Sequence, residues 1–319
     1  MYTHKKGVMI AVILVLVGAA LCGVSFAVLG LNVKSLSSGK FETNRYDVKE
    51  EFRGISIRGN TEKITLLPSE NGECSVVCYE DARERHTVSV ENGTLTVKTV
   101  DKRNWTVHFG ILLESPSITV YLPEKEYGQL SIEADTGDVE IPDAFQFEPV
   151  TVELDTGKAS CYADAAEAVS ITTDTGDIVA SDLSAGEITL ASDTGKIRVS
   201  GVTCGGELSV RDGTGRVEVE DVTCESFRSD GDTGSLNMKN VQASGSFTIK
   251  RDTGNVRFDG CDAASISVKT STGDVTGTLL TGKTFSTKTD TGHVSVPQTT
   301  AGGTCEVTTD TGNIKLEVK

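Results

Sequence analysis

The sequence predicts an all-β protein: a parallel β-solenoid (β-helix) of about ten 19–20-residue coils with an irregular N-terminal β cap, preceded by one transmembrane helix. Three observations carry this. A Thr-Gly pair, almost always preceded by Asp, recurs at Gly137, Gly157, Gly176, Gly195, Gly215, Gly234, Gly254, Gly273, Gly292 and Gly312, always 19 or 20 residues apart. Apolar residues alternate on both sides of each copy. Near the N-terminus a long stretch carries no charge at all. Composition excludes other classes. Acids outnumber bases 46 to 30, so the net charge is 30 − 46 = −16. A uniform polyanion lacks the clustered Lys and Arg that bind phosphate, so no nucleic-acid partner is expected. The 33 glycines in 319 residues are too few, and wrongly spaced, for collagen.

Taken in order, residues 1–6 form a short cytoplasmic end containing His4, Lys5 and Lys6, and residues 7–33 form the predicted anchor. From Val8 to Leu31 the stretch is apolar, and at about 1.5 Å per residue a helix of that length spans roughly 36 Å, more than a hydrocarbon core of about 30 Å. The rival is a signal peptide cleaved after Ser25-Phe26-Ala27, but its apolar region exceeds the usual length. A lipoprotein reading of Cys22 fails because Leu21 stands where a small residue is needed. The basic amino end favours a cytoplasmic N-terminus, diluted by Lys34 and Lys40, so the remainder is expected outside the cell. Residues 34–46 read as a polar tether.

Residues 47–130 read as the N-terminal β cap. Ile55, Ile57, Ile64 and Leu66 flank Arg58-Gly59-Asn60-Thr61 like a degenerate coil, and Asn92-Gly93 between two alternating runs is a hairpin-turn signal. Residues 131–319 are the solenoid. Five before each glycine stand residues such as Ile132, Ile171, Ile249 and Val307, with Ser229 and Thr287 as exceptions; two after stand Val139, Ile178 and their equivalents. The spacing of two is strand alternation. A further inward position lies seven after the glycine, at Leu183, Val202, Val222, Val241, Cys261 and Leu280. Each coil is therefore two or three short strands joined at one corner by Asp-Thr-Gly, stacked in parallel on its neighbours about 4.8 Å away.

The order GISI, ITLLP, CSVVCYE, HTVSVENGTLTVK, SITVYLP and then serial DTGDV coils resembles the bacterial membrane-anchored β-strand-repeat proteins catalogued as "putative adhesin", a domain of unknown function. The resemblance covers about residues 47–319. It implies a solenoid outside the cell, often encoded near envelope-stress or membrane-bound regulatory proteins in Gram-positive bacteria, and supplies no catalytic residues.

Asp-Thr-Gly is also the signature of aspartic proteases, where two carboxylates meet across a cleft and share a proton. Here the aspartates Asp135, Asp155, Asp174, Asp193, Asp232, Asp252, Asp290 and Asp310 fall in a row along one edge, with Gly213 and Ser271 at the other two equivalent positions. Ten coils cannot each be half of a dyad. A turn role explains the repetition directly: the Asp oxygen accepts from the backbone two residues on, and Gly takes a positive φ. A calcium ladder is the alternative, since stacked carboxylates repel unless cations compensate. Lys158, Lys196, Arg216 and His293 follow the glycine in four coils and offer local compensation.

Cys161, Cys261 and Cys305 occupy apolar positions and read as core. Cys74 and Cys78 lie about 13 Å apart on one strand face, too far to bridge. Cys204 and Cys224 stand nine after their glycines on neighbouring coils, where a disulfide is possible and a free thiol ladder the leading reading. His4, His86, His108 and His293 are scattered and suggest no ligand set, and Trp105, with Asn104 and Phe109, reads as a surface loop or strand edge. No cofactor is expected. The function expected is a non-catalytic, membrane-anchored, extracytoplasmic module for adhesion or envelope sensing, with an envelope protein or glycan as partner. The alternatives are a calcium-dependent structural or carbohydrate-binding solenoid and, behind these, a carbohydrate-active enzyme. Such enzymes wall a cleft with loop insertions, which a constant period leaves no room for.

Overall fold

In the computed structural model the described residues are 40–101, 115–299 and 301–319, with positions 15, 17, 18, 23 and 24 of the N-terminal segment. The anchor expected over 7–33 thus lies outside the described residues except for those five positions, which are helical. Among the described residues no helix is long and apolar enough to cross a membrane. Trp105 and His108 also lie outside them.

The rest is a parallel β-solenoid. Coil stacks on coil in one register: Val152 pairs with Ile132 on one side and Ile171 on the other, and Ala159 with Val139 and Ile178. Residues expected to point inward do so; Ile132, Ile171, Val210, Ile249 and Val307 are almost fully buried. Cys161, Cys261 and Cys305 join them in the core, as their positions suggested.

The corner is built by stacking. Every corner glycine amide except that of the outermost coil, Gly292, donates to the threonine carbonyl of the adjacent coil, Gly157 to Thr175 at 2.9 Å and Gly176 to Thr194 at 2.8 Å. Glycines lie so close that a Cβ on Gly176 would meet the Gly157 carbonyl oxygen at 1.9 Å, which only glycine permits. The residue three before the glycine points inward, where Ser192 Oγ donates to Gly176 O at 2.9 Å and Thr309 Oγ1 to Gly273 O at 3.1 Å. A second corner, six after the glycine, uses left-handed backbone at Asp182, Gly201, Asp221, Asn240 and Gly260, with φ between 51° and 64°. Asp, Asn and Gly are the residues that tolerate this region.

Two features depart from simple serial stacking. At the N-terminal end, β1 (Phe41–Val48), β2 (Gly54–Gly59), β3 (Lys63–Pro68), β4 (Cys74–Asp81), β5 (Glu84–Glu91), β6 (Thr94–Asp101) and β7 (Ser117–Leu122) form the cap. β2 and β3 make a full coil against the first Asp-Thr-Gly coil, as Ile55, Ile57 and Ile64 suggested, and β6 and β7 make the next one out. β5 then pairs antiparallel with β6 through the Asn92-Gly93 turn, β4 with β7, and β1 with β4. β1 begins at Phe41, inside the segment read as tether.

At the C-terminal end the order of coils is exchanged. Strand Gly303–Thr311 inserts between Val256–Thr272 and Lys283–Thr291, so the coil of Gly312 lies inside that of Gly292. The outermost coil therefore has one free side, which leaves Val294 exposed and Phe285 and Val296 only partly buried. Lys283 reaches across the inserted coil to Asp262 at 2.6 Å. One inward assignment is corrected as well. A register shift pairs Cys261 with Leu279, so Leu279 is buried and Leu280 is 38% exposed.

Candidate functional site

The corner carries the surface chemistry. All eight aspartates of the tripeptide are exposed. Asp135, Asp155 and Asp174 line one depression of about 460 Å³ with Arg58, Glu133 and Glu153. Asp193, Asp232 and Asp252 line another of about 350 Å³ with Asp230, Arg211 and Lys250. The backbone role expected of these aspartates falls elsewhere. The glycine amide they would hold donates across to the next coil, and the bracing side chain is the residue after the glycine. Asp138 Oδ1 accepts from the Lys158 amide at 2.9 Å, Asp177 Oδ1 from Lys196 at 2.8 Å, and Asn255 Oδ1 from Asp274 at 2.9 Å. Of the cations considered as neutralisers, Arg216 turns to Glu218 at 3.6 Å, whereas the ladder's Asp290 meets Lys288 at 3.1 Å.

Cys204 and Cys224 stand on adjacent coils as the spacing required, buried and as free thiols. Burial pushes the Cys224 thiol up to about 12, so at neutral pH it is a protonated thiol and a poor nucleophile.

Among the described residues two ionic clusters are fully enclosed. In the solenoid core Arg251, Asp212 and Gly231 occupy the position three before the glycine in three stacked coils. Arg251 reaches over Gly231, where a Cβ would meet its Nη1 at 1.8 Å, to ion-pair with Asp212. Its Nη2 donates to Ser229 Oγ at 2.7 Å. Both charged side chains are fully buried, yet Asp212 Oδ2 and Arg251 Nε have no partner. Burial pushes the Asp212 carboxyl up, and the guanidinium opposes that shift without cancelling it.

The second cluster gathers one of the four scattered histidines with carboxylates and a thiol. His86 at the start of β5 sits under the cap with its ring between two carboxylates: Nδ1 lies 2.5 Å from Glu80 Oε2 and Nε2 lies 3.1 Å from Glu62 Oε1. Cys78 joins them, its sulfur within 4.8 Å of the Glu80 and His86 donor atoms. Alternation on β4 turns Cys78 and Glu80 to one face, the β4–β5 turn brings His86 opposite, and Glu62 enters from the first corner of the solenoid. Burial works against the charge on His86, but contacts with Cys78, Glu62 and Glu80 prevail and raise the imidazole to about 10. Burial likewise opposes the charge of Glu62, and the bonds from His86 and the Asn60 amide, the latter 2.6 Å, hold that carboxyl below its usual range. Pattern reading missed both clusters, although Ser229, Asp212 and Arg251 each break the inward apolar or hydroxyl column.

No curated protein matches the chain. Among solved structures, a "putative adhesin" from Bacteroides fragilis shares 15% identity, with 88% of this chain and 99% of that one covered at a TM-score of 0.38. A "putative adhesin" from Parabacteroides distasonis shares 11%, covering 86% and 98%, at a TM-score of 0.48. A "putative lipid binding protein" from the same species shares 12%, covering 88% and 98%, at a TM-score of 0.35. The family profile described as Toastrack DUF4097 matches twice, over residues 52–214 and 205–319, and these two matches span every repeated corner described above and the cap from β2 onward. With most of its length so matched, the chain belongs to the Toastrack DUF4097 family.

Proposed function

We propose that this protein is a non-catalytic, membrane-anchored module outside the cytoplasm, whose solenoid offers a stiff surface for adhesion or envelope sensing to an envelope protein or glycan. The observation that carries this reading is where the ionisable groups lie. The two clusters with strongly perturbed groups are sealed, their side chains at most about 1% exposed, where no substrate reaches them. The accessible carboxylates instead form a row along one corner, which suits a contact surface better than a reaction centre. The uncharged stretch over residues 7–33 supplies the anchor.

The test is fractionation and shaving of intact cells making the full-length chain. It should remain in the membrane fraction uncleaved, with a C-terminal tag removed by protease added outside. The membrane-tethered chain should then retain cell-wall material, glycan or a neighbouring membrane protein, less so when the corner aspartates are changed to asparagine. A mature form beginning near Val28 in the medium, or a protected tag, overturns the anchored reading.

The calcium ladder has one observation in its favour: exposed carboxylates on adjacent coils, about 4.8 Å apart, that do not hold their own corner amides. Melting the full-length chain in detergent with EDTA, magnesium or calcium separates the readings. The expected outcome is equal midpoints in magnesium and calcium, and little change in Asp174→Asn with Asp193→Asn. A rise of several degrees specific to calcium, lost in that double variant, would establish the ladder as a calcium site by mass action.

A further inference from the structure

We propose that Cys78, Glu80 and His86 form a binding site for one divalent ion of the zinc class, which fastens the N-terminal cap to the first coil. The two strands of one hairpin bring these ligand-type side chains together, and their donor atoms lie within 4.8 Å of one another. All three are buried, Cys78 fully and Glu80 and His86 to within a few per cent. The chemistry of the set is selective. A thiolate, an imidazole and a carboxylate suit zinc and its borderline-soft neighbours, whereas calcium and magnesium prefer oxygen alone.

The surroundings are arranged as metal sites require. Glu62 at 3.1 Å from Nε2 fixes the imidazole from behind and leaves Nδ1 facing Glu80, which is the carboxylate–histidine arrangement that orients a metal-binding ring. Thr99 Oγ1, 3.2 Å from the same Nε2, supports that orientation. Glu80 Oε1 accepts from Asn44 Nδ2 at 2.6 Å, which holds the carboxylate and leaves Oε2 turned toward the ring. Nδ1 and Oε2 stand 2.5 Å apart. A tetrahedral ion with bonds near 2.0 Å needs these atoms about 3.3 Å apart, a movement of under about 1 Å. Charge is conserved in the exchange. The ion enters with two positive charges, and the Cys78 thiol and the imidazolium Nδ1 each release a proton to solvent. The pocket keeps the single net negative charge of two carboxylates facing one imidazolium. The fourth position is left for water.

The location explains what the ion does. The regular coils hold one another through continuous ladders, but the antiparallel β4–β5 hairpin closes an irregular end. The ion would tie β4 to β5, and Glu62 of the first corner, 3.1 Å from His86 Nε2, joins that hairpin to the solenoid.

The test uses the full-length chain in mild detergent, unfolded and refolded with zinc or cobalt and then freed of loose metal. The expected result is about one ion per chain. The cobalt form should show visible ligand-field bands and a sulfur-to-cobalt charge-transfer band. Strong chelator should lower the melting midpoint by several degrees. Cys78→Ala and His86→Gln should lose the ion and the bands, while Cys74→Ala on the same strand keeps both. The cobalt spectrum of the wild-type chain needs no variant, so a misfolded variant does not spoil the test. A folded wild-type chain that holds no more zinc than Cys78→Ala and shows no sulfur–cobalt band overturns the site, and the cluster is then a proton-held ion triad. Neither outcome bears on the adhesion reading.

Discussion

Asp212→Ala should cost about 3–5 kcal/mol, because it strands the Arg251 guanidinium in the core without its counter-charge. The pair bridges three coils, so the loss loosens the stack on both sides of Gly231. Apolar burial cannot compensate, since Arg251 already has an unpartnered Nε and keeps only Ser229 as acceptor. The same physics predicts a rescue. Other coils carry Thr173, Ser192, Thr270 and Thr309 at this inward position. A triple variant, Asp212→Ser, Gly231→Thr and Arg251→Thr, restores the usual column and fills the space the guanidinium leaves. It should melt close to the wild-type chain, because replacing a whole buried ion pair is often neutral or stabilising. Thermal melts of the full-length chain in detergent check both. A triple variant as unstable as Asp212→Ala would show that the pair contributes more than mutual neutralisation.

Ile171→Asp should be at least as damaging, on the order of 4–5 kcal/mol or more. Ile171 is fully buried between Val152 and Leu190 on adjacent coils, with no cation beside it. The change removes the apolar contacts and leaves a carboxylate with no partner. Asp177→Asn is the matched control in the same coil. Its side chain is exposed, and the amide oxygen of Asn can accept from the Lys196 amide as Oδ1 does, at 2.8 Å. Asn255 and Asn313 already make this brace, accepting at 2.9 and 3.0 Å. The control should stay within about 0.5 kcal/mol of wild type. Equal midpoints for the two variants would mean that the inward and outward faces are exchanged.

The face assignments behind these predictions were legible in the sequence because alternation and burial are local. A residue two before or two after another on a strand shares its face whatever lies beyond. The same holds for the corners: only glycine survives where a Cβ would strike the neighbouring carbonyl, so the glycines mark the period. Leu280 shows the limit. One residue of register shift after Phe258 turned Leu279 inward in its place, and nothing in the spacing announced it. The corner aspartates show another. The side chain two before the glycine looked like the turn cap, but stacking offered the glycine amide a better acceptor in the next coil.

Fold class, period, the inward columns and the long apolar N-terminal stretch were thus determined by the sequence by itself, since each follows from the chemistry of a few neighbouring residues. The order of the last two coils was decided only in three dimensions. A regular repeat presents nearly the same edge to every neighbour, so pairing energy barely distinguishes serial from exchanged stacking. Pro297, the one proline after Pro149, marks where the chain leaves its coil, but does not say which coil it rejoins. The buried clusters were decided there too. Glu62, Cys78, Glu80 and His86 look unrelated along the chain, and the antiparallel cap brings them together. Arg251 meets Asp212 across 39 residues because stacking turns two repeat lengths of sequence into two coil spacings, within the reach of one arginine.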